Sequence, residues 1–82
     1  MGEKRKVSDK ISIEIAGKEF VGHRTIEGTR KLFQTIYYEG ESRFDGHPYK
    51  QGEQAIMNSV ASIILRELIQ EAGHRPSGYN SA

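Results

Sequence analysis

The sequence has no cysteine, no tryptophan, only two prolines and no long hydrophobic run. Without cysteine there can be no disulfide staple and no thiolate metal site. No uninterrupted apolar run in the C-terminal half exceeds three residues, as at Ile63 to Leu65, and Arg66, Glu67 and Glu71 follow, so this region cannot span a bilayer. The first ten residues are almost all polar and do not read as a signal peptide. A soluble, cytoplasmic protein with no membrane partner is the expectation. Charge of one sign is also scarce: 12 Lys and Arg stand against 11 Asp and Glu in 82 residues.

That near-balance hides a segregation. Residues 1–10 carry Lys4, Arg5, Lys6 and Lys10 against two acidic groups, whereas residues 11–73 carry seven basic and nine acidic groups. A dedicated nucleic-acid domain would show the reverse, a basic fold. The composition divides the chain into a mobile basic N-terminal tail (1–10), a single α+β domain (11–73) and a mobile C-terminal tail (74–82) rich in Pro, Ser, Gly and Asn. Roughly 63 foldable residues are marginal for a self-sufficient core, and oligomerisation is one remedy.

What is present begins with alternation. Ile11, Ile13 and Ile15 are separated by Ser12 and Glu14, the period of a half-buried strand. Gly17-Lys18 suits a type II′ turn that would pair Ile15 with Phe20, Ile13 with Gly22 and Ile11 with Arg24. Gly22 would leave room for a bulky neighbour. After a turn at Glu27-Gly28-Thr29, residues 30–38 read as a third strand in preference to a short helix grouping Leu32, Phe33, Ile36 and Tyr37. The segment is too short for an independent helix, and Gly28 and Gly40 bracket it at hairpin distance. A two-residue loop would put Phe33 and Tyr37 on the face of Phe20, and a three-residue loop would put Leu32 and Ile36 there. Glu39-Gly40 marks another turn and Ser42-Arg43-Phe44 a short fourth strand. Asp45-Gly46-His47-Pro48 would then end the sheet, with Pro48 suited to the first turn of a helix.

From Gln51 to Gly73 the period changes to that of a helix, with Met57, Val60, Ala61, Ile64, Leu65, Leu68, Ile69 and Ala72 on one stripe. The fold predicted is an antiparallel meander of three or four strands followed by one long C-terminal α-helix packed on the sheet. Such a helix would be about 33 Å long, against about 20 Å for six-residue strands, and would overhang its sheet. Ile56 and Ile63 lie on a flank outside the stripe. Overhang and flank together predict association, as a homodimer or with a protein partner, through Ile56, Ile63, Tyr37 and Tyr38.

Catalytic signals are weak. His23, His47 and His74 fit no metal-ligand spacing, the serines lie in no nucleophile context, and no phosphate-binding loop is present. Asp45, His47 and Tyr49 share one segment and could support acid–base chemistry, but Asp-Gly and His-Pro are first of all turn formers. No enzyme activity, cofactor or metal is expected. The function read from the sequence is therefore a small non-enzymatic binding or accessory protein. The alternative is weak nucleic-acid binding, with Lys4, Arg5, Lys6, Arg24, Arg30, Lys31 and Arg43 reaching phosphates and sheet aromatics stacking on bases.

Overall fold

The computed structural model describes residues 5–73. Four strands form one antiparallel sheet in sequence order: β1 (Arg5–Ile15), β2 (Lys18–Gly28), β3 (Leu32–Tyr38) and β4 (Glu41–Tyr49). One helix, α1 (Gln54–Glu71), packs across one face. The α+β meander is thus as expected, with the fourth strand fully formed.

Several boundaries and registers differ from the sequence reading. The first strand begins at Arg5, so residues 5–10, expected to be tail, pair with Gly28 to His23. Lys4 and residues 74–82 lie outside the described residues. The first hairpin turns at Ala16-Gly17, whose φ values of 53° and 83° are those of a type I′ turn, and Ile13 rather than Ile15 stands opposite Phe20. That shift is two residues, so the isoleucines keep their face. Between β2 and β3 the loop has three residues, 29–31, which puts Leu32, Gln34, Ile36 and Tyr38 on the face of Phe20. β4 continues through Asp45-Gly46-His47-Pro48 to Tyr49 with an irregularity between Leu32 and Gln34 on its neighbour. Pro48 therefore sits in a strand, not in the helix. An edge strand tolerates it, because its outer side needs no N–H.

The helix does not overhang. Its 18 residues span about 27 Å, while the 11-residue strands reach about 36 Å. The mismatch expected from the sequence arose from strands read too short and a helix read too long, since α1 runs only from Gln54 to Glu71. Met57, Ala61, Ile64, Leu65, Leu68 and Ile69 face the sheet and are buried. Most of them meet Ile15, Phe20, Ile36 and Tyr38 in the main core, while Met57 joins Ile26 and Tyr49 in a second, smaller cluster. Gly22 makes close packing possible: a Cβ there would meet Leu65 Cδ1 at 2.6 Å and the Tyr37 carbonyl oxygen at 2.8 Å. The space that the sequence left beside Gly22 is filled by Leu65.

Candidate contact surface and buried polar network

The even-numbered residues of β2 and β3 face the helix, and alternation sends the odd-numbered ones to the opposite face. No described element covers that second face. It gathers Val21, Phe33, Tyr37 and Phe44. Phe44 is 62% exposed, Val21 51% and Tyr37 39%. The Phe33 and Phe44 rings stack with centroids 6.0 Å apart and planes 26° from parallel. Together with Thr25, Thr35 and the Thr29-Arg30-Lys31 loop they line a concavity of about 760 Å³. The sequence reading missed Phe44, although its alternation with Arg43 and Asp45 was the available signal.

The structure separates the residues predicted to form one partner surface. Tyr38 is buried at 6% exposure in the main core and cannot be part of an exposed contact. Tyr37 lies on the open sheet face. Ile56 and Ile63, 53% and 57% exposed, lie on α1 on the other side of the sheet. A single partner cannot touch all of them at one patch.

The predicted basic cluster is also broken up. Arg24 is 5% exposed on the helix side of the sheet. Its Nε and Nη2 donate to the Asp9 carboxylate at 3.1 and 2.9 Å, and Nη1 donates to Asn58 Oδ1 at 2.9 Å. Arg43 likewise turns to the helix, where it pairs with Glu67 at 2.8 Å and Glu71 at 2.7 Å. Arg24 is thus closed to phosphate, and Arg43, 37% exposed, is engaged on the side of the sheet away from the exposed aromatics. Arg5 is exposed and falls on the helix side. Lys6, Lys10, Arg30 and Lys31 remain exposed on or beside the open face, with no ion pair among the described residues.

Between sheet and helix runs a chain of polar groups. Gln34, fully buried, donates from Nε2 to Asp45 Oδ2 at 2.9 Å and to the Met57 carbonyl at 2.9 Å, and its Oε1 lies 3.5 Å from Arg24 Nη1. The Tyr49 hydroxyl donates to Asp45 Oδ2 in a short hydrogen bond, and the His47 amide donates to Oδ1 at 3.0 Å. No buried side-chain nitrogen or oxygen among the described residues lacks a partner. The acid–base triplet of the sequence is therefore real as a neighbourhood, with the His47 ring edge-on to Tyr49 at 4.7 Å.

The protonation states are locked rather than poised. Burial pushes the Asp45 carboxyl up, but the hydrogen bonds from Tyr49, Gln34 and the His47 amide together outweigh it and hold the group below its ordinary 3.8. Tyr49 is pushed up to about 12 by burial and then by its bond to the Asp45 carboxylate. Asp9 is lowered chiefly by its hydrogen bond from Arg24. A proton donor and acceptor held this far apart do not exchange at neutral pH.

This gives a pH profile. The stability from Asp9 and Asp45 is complete above the unfolded carboxylate value and is lost as pH falls through the lower folded values. That from Tyr49 is complete below pH 10, its ordinary value, and is lost as pH rises towards about 12. Thermal melts should show a plateau through neutral pH with a fall at each end, and Tyr49→Phe should weaken the alkaline fall. An unchanged alkaline limb in that variant would remove Tyr49 as its cause.

Compared with known proteins, the chain matches no family model, no curated protein and no solved structure. No helix among the described residues is long and apolar enough to cross a membrane, and no group of three or more His, Cys, Asp or Glu among them could hold a metal ion.

Proposed function

We propose that the chain is a non-enzymatic binding protein that works through protein–protein contacts and as a homodimer. The observation that supports this reading is the apolar surface left on so small a domain. Val7, Val21, Tyr37, Phe44, Ile56 and Ile63 are each between 39% and 62% exposed. Two of these six, Tyr37 and Phe44, line one concavity on the open sheet face with the half-buried Phe33, and Val21 lies on the same face outside it. Contiguous apolar patches of this kind mark contact sites more often than scattered exposed residues do. The buried titratable groups support binding over catalysis, since Asp45, Tyr49 and Arg24 are each committed to internal partners.

Sedimentation equilibrium from low to high micromolar concentration tests the homodimer. The expected result is a mass rising from one chain to two, and a single-chain mass throughout would overturn it. The second reading, single-stranded nucleic acid on the open face, is favoured by one observation: Lys6, Lys10, Arg30 and Lys31 flank the aromatics without ion pairs among the described residues. Labelled oligothymidine decides between them. Binding that weakens steeply with salt and is abolished by Phe44→Ala would favour nucleic acid. No binding at low salt would remove that reading.

A further inference from the structure

A meander has two edge strands, and here they are unlike. β4 is interrupted by Gly46 and Pro48 and by its irregular register against β3. Such features blunt an edge. β1 has none of them. It is 11 residues long, contains neither Gly nor Pro, and pairs regularly with β2 from Arg5 to Ile15. Its outer side is uncovered by any described element.

The hairpin determines which backbone groups that edge offers. A two-residue turn makes the flanking pair, Ile15 and Lys18, hydrogen-bonded to each other, and such pairs recur at every second residue. The odd-numbered residues of β1 therefore bond to β2. The amides and carbonyls of Lys6, Ser8, Lys10, Ser12 and Glu14 point outward.

We infer that β1 is the homodimer interface, pairing antiparallel with the β1 strand of a second copy about a two-fold axis at Lys10. This rests on the homodimer reading and gives it a place and a register. Centring on Lys10 is the one register that overlaps the whole strand, Arg5 opposite Ile15. It also matches outward groups to outward groups, giving about ten backbone hydrogen bonds from five bonded pairs. On the open face it sets Lys6 opposite Glu14 of the other copy, twice, and Ser8 opposite Ser12. On the helix side it sets Val7, 51% exposed, against the half-buried Ile13. Directly opposed pairs of these kinds stabilise a sheet. Lys10 with its own copy is the one like-charge pair, and Asp9 stands against Ile11 on the helix side; these mismatches keep the association reversible.

The product is an eight-stranded sheet with both helices on one side and both aromatic faces on the other. Because β4 is blunted, pairing stops at two copies and the assembly is closed. The expected partner surface on the helix flank, Ile56 and Ile63, takes no part.

The absence of cysteine makes the test direct. In Lys10→Cys the two sulfurs meet on the axis, with Cα atoms about 5.5 Å apart, inside disulfide range. Mild oxidation should convert the variant almost wholly to a covalent dimer. Ser8→Cys should not convert, because its copy lies four residues, about 13 Å, further along the strand. Ser12→Pro removes an outward N–H that β2 does not use and should give a folded monomer. Lys10→Thr removes the like-charge pair and should tighten the dimer several-fold. If Ile56→Cys or Phe44→Cys cross-links while Lys10→Cys does not, the edge interface is overturned and the homodimer stands. If the unaltered chain sediments as a monomer, both fall.

Discussion

Replacing Gln34 by leucine should lower the stability of the domain by about 2–4 kcal/mol, although leucine is close to it in size and leaves no large cavity. Gln34 is fully buried and joins two strands to the helix at once, through Asp45 on β4 and the Met57 carbonyl on α1. Leucine would leave the Asp45 carboxylate, 8% exposed, with one donor fewer and nothing from water in exchange. The cost belongs to the abandoned charge rather than to lost packing. Urea denaturation should show a lower midpoint at an unchanged slope. A double-mutant cycle with Asp45→Asn should give a coupling of about 0.5–3 kcal/mol, as groups sharing one network do. A purely additive cycle would mean that the network contributes little.

Gly28→Ala should be at least as damaging, by about 3 kcal/mol or more, for a reason of shape. Gly28 has φ of 146°, and a Cβ there would lie 1.9 Å from the Lys31 carbonyl oxygen. That atom is backbone, so no rotamer change relieves the clash. The three-residue loop would have to rebuild. A rebuilt loop one residue shorter or longer would invert β3, sending Ile36 and Gln34 outward and Phe33 and Tyr37 towards the helix. The native register is thus held by one residue without a side chain. Hydrogen exchange should become faster throughout β3 in the variant, and the melting temperature should fall. Unchanged protection in β3 would show that the loop does not set the register.

The parts of the fold written in periodicity were legible. The alternation of Ile11, Ile13 and Ile15 and the helical stripe from Met57 to Ile69 are one-dimensional patterns, and the structure buries Ile15 and most of the stripe, with Ile11 and Ile13 half-buried on the same face. Length was harder to read. Polar residues 5–10 looked like tail because neither face of that half of β1 is deeply covered, so the strand carries no apolar signal there. The continuation of β4 was hidden by Asp45, Gly46 and Pro48, all poor strand formers. Asp45 and Gln34 are inward-facing because each answers the other, a pairing that a single strand cannot announce. The same holds for Arg24. Its charge suggested a surface, and only the register that brings Asp9 opposite it shows why it is buried.

The strand order also bears on how the chain acquires its structure. Each strand of the meander pairs with its sequence neighbour, so loops are short and the closure entropy of each hairpin is small. Hairpins of this kind close in about 1–10 µs, and they need nothing from α1 to do so. The helix comes last in the described chain, yet it supplies one whole side of the core. During synthesis the sheet would therefore stand for a time with aromatic side chains bare on both faces and an open edge at β1. At a ribosomal pace of about 5–20 residues per second, the 18 residues of α1 take on the order of one to a few seconds to emerge. That interval, far longer than hairpin closure, is when this protein is most exposed to aggregation.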